Sequence, residues 1–566
     1  MAHTFNLVDQ PWIPVTLHPR GSPDVLSLRD TLARASEIRD ISDASPLVTI
    51  SIHRLLLPIL HRTHGPSDVD EWERNWEAGA FDQQLLAAYL DRWRQRFDLF
   101  DPERPFYQTI EVHTDYARSI AQMVYGMTLG NYVTLFDHSR QDTPPALRPA
   151  EAARQVLAIQ NFAVGGLVPY QSKHGEPARP YKFAENSLLT KGAVALVRGR
   201  NLFETLMLNL HRYNGAASSP FEFEPRADLP AWERDTPARA EERLPDGYVD
   251  LLTWQSRRVR LIPEANADGE TIVSRAVVMK GYQFPRGDIH LRDYETMLAF
   301  THNPKATKGQ DPWPVLSLRP ARAVWRDSTA LFQTTGDEHQ RPRTLDWVAE
   351  LTHDGALPGS RRYLVDIYGL ATDRASVDLW RSEQLPLPVA LLDNQDLMAE
   401  LRRALELADA VSRLFAPRMH EIVMPGENRA RRVPSPVQTL AENLLTMSDA
   451  MQPDREAVGR LAASLAPDET YWARLELPFK QFLLSIGEAD TVSVRERWAS
   501  AVRSAAREAW NVIFSSFDAS ARTLKAAVRA DGVFDFQLNV LVNPYAPQRR
   551  EEIADGEPHP TPTAVC

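Results

Sequence analysis

The pattern of this chain changes near Leu387, and that change limits the folds open to it. Beyond it, "DLMAELRRALELADAVSRLF" sets Leu397, Leu401, Leu405, Ala408 and Phe415 along one helical stripe. A stripe of that width has to be covered by other helices. Further helical patterns run over 436–449, 468–486, 494–516 and 519–530, separated by short breakers such as "MQPDRE" and "GEADT". Helices with short connections predict an antiparallel bundle. The first 375 residues read differently. Short β-like runs ("FNLVDQPWIPVTL", "GAVALVRG", "TIVSRAVVM") alternate with helical patterns at 47–61 and 201–212 and with many prolines. At 566 residues the chain exceeds one compact core. The expected fold class is α+β: a large irregular mixed N-terminal domain (1–379), then an all-α C-terminal four-helix bundle (380–545). The tail 546–566 lacks apolar periodicity and is expected to be disordered.

The single cysteine is Cys566, so no internal disulfide and no cysteine-based zinc site can form, and a reducing cytoplasm is expected. The opening "MAHTFNLVDQPW" has no basic region followed by an apolar one, and no apolar run approaches the roughly 18 residues of a bilayer span. No membrane partner is expected. The net charge of −11 argues against indiscriminate coating of nucleic acid, but it leaves room for a local basic groove. Between Leu251 and Ala330, twelve Lys/Arg face eight Asp/Glu, a local +4. Arg257, Arg258 and Arg260 cluster in "TWQSRRVRL", and Arg319, Arg322 and Arg326 in "RPARAVWR". Apolar and basic residues alternate there, as on a strand with one wet face. That face is either a DNA surface or an ordinary solvated strand.

Catalytic signals are sparse. His61 and His64 stand at i, i+3 in "HRTHG", with His53 two turns earlier, yet "SIHRLLLPILHR" reads as a buried helix. Asp137-His138 in "TLFDHSRQD" is a lone pair with no second histidine close by. No G-x-S-x-G elbow and no candidate cysteine nucleophile are present. The chain is read as a non-enzyme with no metal and no cofactor. The rival reading is a metal-dependent nuclease or hydrolase using His61, His64, Asp137 and His138.

Gly165 and Gly166 in "NFAVGGLVPYQ" are the chain's only adjacent glycines. They come after "PAEAARQVLAIQ" (149–160), an amphipathic helical pattern, so Gly165 could serve the turn after that helix. Glycine also lets another molecule approach the main chain closely. Both readings are compatible with the residues.

"FNLVDQPWIPV", "RFDLFDPERPFYQ" (96–108) and "LLTWQSRRVRL" (251–261) occur in this order and spacing. Together they resemble the CasA family, the large subunits of the type I-E CRISPR surveillance complex called Cascade. The resemblance runs from residue 5 to about 545. It implies a non-catalytic subunit that recognises the protospacer-adjacent motif (PAM) in target double-stranded DNA, starts strand separation and helps recruit a helicase-nuclease. The implied partners are the guide RNA and the other Cascade subunits: the backbone, the small subunit and the holder of the guide's 5′ handle. The resemblance puts the family's PAM-reading glycine loop at Gly165 and Gly166 and its lysine at Lys280. Its duplex wedge falls at Asp373, Arg374 and Ala375, where Arg374 stands in place of the family's frequent glutamine. Its docking loop lies in "GNYVTLFDHSRQDTPPAL" (130–147), centred on Phe136, Asp137 and His138. For each position an ordinary surface turn, loop or lysine is the alternative.

Overall fold

A computed structural model of the chain describes residues 3–124, 145–171, 179–213, 228–287, 289–334, 336, 338–373, 376–424, 426–446, 453–465, 468–515 and 520–546. They fall into two compact units, Met1–Met398 and a second from Ala399 onward.

The first unit is built around the helix Pro46–His64. Every residue from Leu47 to His61 is buried, so this helix is enclosed on all sides and forms a central column. The one arginine in that stretch, Arg54, makes two 3.0 Å hydrogen bonds to the Glu295 carboxylate, and both residues are fully buried. Removing either partner would strand a charge. The unit's strands are β1 (Ile13–Leu17), β2 (Ser22–Leu26), β3 (Ile38–Ile41), β4 (Arg118–Ser119), β5 (Gly166–Tyr170), β6 (Arg179–Ala184), β7 (Val194–Arg198), β8 (Arg257–Ala265), β9 (Thr271–Lys280), β10 (Phe300–Thr301), β11 (His339–Gln340), β12 (Arg362–Asp373) and β13 (Ser376–Pro388), of which β3, β12 and β13 pack on the column. They make small sheets, β2–β1–β3, β4–β9–β8 and β13–β12–β7, with β5–β6 and β10–β11 as two-stranded ribbons. All pairings within them are antiparallel. The expected helix at 149–160 is present as Pro149–Phe162, started by a proline at its first turn and by Glu151 bonding back to the Arg148 N–H.

The division between units falls at 398/399, not at the expected 379/380. The reason is register: β13 stays paired with β12 as far as Arg362↔Pro388, which ties residues 380–388 to the first unit.

The second unit is helical, as expected, with more parts than four helices. The helix Gln395–Ser412 leads into it, and after it come Pro436–Leu445, Arg455–Leu465, Asp468–Ser485, Thr491–Ser515 and Ala521–Val542. A small hairpin, β14 (His420–Val423) with β15 (Ala430–Val433), precedes the second of these. Arg455–Leu465 escapes periodicity because it buries only Val458 and Ala462. The core is aromatic: Trp510 stacks on Phe534 at 4.6 Å with rings nearly parallel, and the Trp498 indole N–H donates to Ala404 O at 2.9 Å. The Trp510 indole N–H likewise donates to Asp531 at 3.0 Å. Each Trp thus buries a large surface and has its polar N–H satisfied. Among the described residues, no helix is long and apolar enough to cross a membrane.

Candidate nucleic-acid interface

The glycine pair sits where the helix Pro149–Phe162 hands the chain to β5. The helix ends at Ala163, whose N–H bonds Ile159 O in ordinary extended geometry (φ −55°, ψ 124°). Neither glycine has a positive φ. The helix therefore ends without needing a glycine, and the turn-after-helix reading loses its physical basis.

Groups from three segments support the main chain just past this helix: Gln160, Arg257 and the stretch 186–190. Gln160 reaches the edge of the β4–β9–β8 sheet. Its amide donates to Arg257 O and its carbonyl accepts from Arg257 N–H, both at 2.9 Å, taking the place of a missing neighbouring strand. The Arg257 side chain then turns back under the glycine segment. It donates to Glu185 O at 2.7 Å, Ser256 O at 3.0 Å, Val164 O at 3.2 Å and Ala163 O at 3.5 Å. Ser187 N–H and the Thr190 hydroxyl also donate to Ala163 O, at 2.8 and 3.0 Å. Asn186 Oδ1 accepts from Gly165 N–H at 2.7 Å. These hydrogen bonds hold the main chain of the loop from Ala163 to Gly165.

The two glycines differ. A Cβ on Gly165 would lie 3.0 Å from Ala184 O and 3.1 Å from Asn186 N, so that position is glycine for packing. A Cβ on Gly166 would meet nothing within 4 Å. Gly166 opens β5 opposite Ala184 and is partly exposed. The fold gives it no reason to lack a side chain.

The arginine cluster does not form the basic DNA surface that alternation suggests. Arg257 and Arg258 are 2% and 6% exposed. Arg258 donates to Gln171 O at 2.6 Å and Lys280 O at 2.8 Å, and burial lowers its pKa from the ordinary guanidinium value. Arg260 is partly buried and donates to Ile110 O and Val112 O at 2.6 and 3.2 Å. Guanidiniums can be buried in a strand when backbone carbonyls surround them, and sequence alternation cannot reveal that. Lys280 ends β9 directly opposite Arg257 and stays partly exposed. Arg257 thus joins Lys280, its cross-strand neighbour, to the carbonyls just before Gly165.

The expected wedge lies on the long β12–β13 hairpin, which pairs Asp373 with Ser376 across a two-residue connection. Arg374 and Ala375 lie outside the described residues. The hairpin's middle is braced: Arg381 donates to Arg319 O at 3.1 Å and also to Arg322 O, and Glu383 accepts from Val324 N–H at 2.8 Å. Gly369 lets β12 pass close to a neighbouring segment, where a Cβ would fall 2.6 Å from Gly192 O. Phe136, Asp137 and His138 also lie outside the described residues.

Of the metal reading's residues, His61 and His64 are described, and they do not form a site together. His61 is buried against the rings of Tyr213 and Tyr248, each 5.1 Å away, and burial lowers its pKa well below the ordinary value. Both nitrogens of His64 are taken, by the Thr63 hydroxyl at 2.8 Å and the Asp82 N–H at 2.9 Å. Among the described residues, no three His, Cys, Asp or Glu side chains gather as a metal would require.

Sequence reasoning missed the positioning residues Gln160 and Asn186, and it misread Arg257 as a surface cation. Their partners are main-chain atoms scattered along the chain, which leave no spacing signal.

Residues 6–509 match the family described as CRISPR-associated protein Cse1. The chain is 30% identical over 554 residues to the CRISPR-associated protein CasA/Cse1 of Thermus thermophilus, covering 95% of this chain and 98% of that one. The crystal structure of Cse1 from Acidimicrobium ferrooxidans is similar with a TM-score of 0.76 and 25% identity, over 96% of this chain and 99% of the other. A chain of a solved CRISPR RNA-guided surveillance complex shares the fold, with a TM-score of 0.69 and 20% identity over 94% and 99% of the two chains. The chain belongs to the CasA/Cse1 family of CRISPR-associated proteins.

Proposed function

We propose that this chain is the non-catalytic large subunit of a type I-E CRISPR RNA-guided Cascade complex, which senses the PAM in double-stranded DNA and begins opening it. The observation that carries this reading is Gly166, a glycine that the fold does not require, on a loop braced by Arg257 and Asn186. The minor groove is only about 6 Å wide. A strand start without Cβ can bring its main chain to base edges there, while any side chain would collide with the groove walls. Lys280, tied to the same loop through Arg257, supplies a donor for thymine O2 or adenine N3. Those acceptors barely distinguish A·T from T·A, so the PAM is tolerant at such a position.

Opening then falls to the β12–β13 hairpin, with Asp373, Arg374 and Ala375 as the wedge. A guanidinium can stack on an exposed base and bond phosphate. Stacking averages about 1.4 kcal/mol per step, so one or two good contacts offset the first opened pair, and guide pairing compensates after that. The 130–147 loop, with Phe136, Asp137 and His138, docks near the guide RNA's 5′ handle. The partners are the backbone, small and handle-holding subunits, the guide RNA, the target duplex and a helicase-nuclease recruited afterwards.

The test replaces Asp373-Arg374-Ala375 with three glycines in the assembled complex. Binding to an intact PAM-bearing duplex should fall. Binding to a target pre-melted beside the PAM should stay near normal, because the unpairing cost of roughly a few kcal/mol has already been met. Equal loss on both DNAs would make the hairpin a recognition or folding element, and no loss on either would remove the wedge from it.

A further inference from the structure

The β5–β6 ribbon that starts at Gly166 carries an apolar face in solvent. Leu167 is 71% exposed, Phe183 53% and Tyr181 45%. The register pairs Leu167 directly with Phe183. Tyr181 is two residues before Phe183 on the same strand, where the register shifts beyond Val168↔Lys182, and it is exposed as Phe183 is, with the two aromatic positions about 6.8 Å apart along the strand. The other face is closed by the ribbon's own chemistry, with Lys182 Nζ 4.0 Å above the Tyr170 ring. A folded chain has no internal use for two adjacent solvent-facing aromatics.

The charge around that face indicates its occupant. The ribbon packs against β9, which also pairs with β4. Strands β4 and β9 contain Arg118, Arg275 and Lys280, and the sequences of β4, β5, β6 and β9 hold no Asp or Glu. The whole chain, by contrast, has a net charge of −11. Arg118 lies over the Tyr181 ring at 5.5 Å and bonds its hydroxyl, a cation at the edge of the aromatic face. Exposed rings bordered by a cation, on strands without a carboxylate, suit a polyanion whose units also carry flat apolar faces. A protein partner would have to supply several carboxylates as well as apolar surface.

We propose that the Leu167–Tyr181–Phe183 face is a stacking platform for the bases of single-stranded DNA, with Arg118 on its phosphates. The proposal deepens the reading above, since a duplex opened beside Gly166 would deliver unpaired bases to this ribbon. Its test does not need a PAM or a guide. The full chain is titrated with fluorescent (dT)15 at low and physiological salt, and photocrosslinked sites are mapped by mass spectrometry. Wild type should bind, crosslink at Tyr181 or Phe183, and weaken steeply with salt. Phe183→Ala and Tyr181→Ala should each weaken binding by at least about fivefold, and Phe183→Trp should restore it. Both side chains are exposed, so circular dichroism should be unchanged. Wild-type affinity in both alanine variants would overturn the platform, as would crosslinks confined to other segments. Loss of self-association in those variants without loss of (dT)15 binding would make the face a protein contact. Binding of a PAM-bearing duplex by the assembled Gly166→Asp and Phe183→Ala complexes separates the two ideas. Failure of PAM sensing appears only in the first comparison, and failure of the platform only with (dT)15.

Discussion

Exchanging each glycine of the pair for alanine should have opposite consequences for folding. At Gly165 the new methyl carbon would lie 3.0 Å from Ala184 O and 3.1 and 3.2 Å from Asn186 N and Oδ1. Two of these are main-chain atoms, and the third is the acceptor that holds Gly165 N–H, so the loop must shift by a few tenths of an ångström. Overpacking of this kind costs about 1–3 kcal/mol. At Gly166 the methyl meets nothing within 4 Å and φ is ordinary, so only the unfolded chain is affected. Restricting it stabilises the fold by about 0.4–1 kcal/mol. Urea titrations followed by circular dichroism should therefore move the two midpoints in opposite directions. DNA binding should separate from folding. Gly166→Ala, the more stable variant, should lose at least tenfold in affinity of the assembled complex for a PAM-bearing duplex, about 1.4 kcal/mol. Gly166→Asp should lose more through repulsion of phosphate. Wild-type binding by Gly166→Ala would refute the close-approach reasoning, and a destabilised Gly166→Ala would refute the open space beside it.

Arg257→Met removes the donor shared by the Glu185, Val164, Ala163 and Ser256 carbonyls and should cost about 3 kcal/mol or more, with faster amide exchange at Gly165; unchanged exchange there would mean the loop is held without it. Burial lowers the pKa of His211 to about 3, so the folded chain stays neutral there while the unfolded chain protonates below about pH 6.5. Stability from this residue is present above that pH and is lost as pH falls toward 3, by about 1.4 kcal/mol per unit. His211→Gln should flatten the pH dependence of unfolding over that window, and parallel curves would contradict this. A fragment from Gln395 to Ala546 should unfold cooperatively as a helical protein, because Trp498, Trp510, Phe534 and Tyr471 are buried among second-unit elements; a non-cooperative melt would count against an autonomous unit.

Elements with strong periodicity are legible in the sequence. The stripe from Leu397 to Phe415, the helix before the glycine pair and the strand "TIVSRAVVM" stand where the pattern puts them. The Arg455–Leu465 helix is not legible, because two buried positions do not make a stripe. The domain boundary escapes sequence reasoning because a pairing between β12 and β13 is a tertiary fact, invisible in the composition of residues 380–388. Alternation correctly marks β8 as a strand, but its "RRVR" suggests a wet basic face. Carbonyls from Val164, Glu185, Gln171, Lys280 and Ile110 instead draw those guanidiniums inward. The glycine pair stands out as an oddity of sequence. Only the geometry distinguishes Gly165, which packing requires, from Gly166, which it does not.

In the proposed function, Gly166 and Lys280 read the DNA beside the guide-matched sequence. The most direct measurement presents the assembled complex with duplexes randomised at that position and sequences what is bound. Wild type should enrich a short base set with tolerance between A·T and T·A. A complex carrying Gly166→Asp and Lys280→Ala should lose that enrichment, yet still bind a target already melted there. The same enrichment from both complexes, or none from the wild type, would contradict the account.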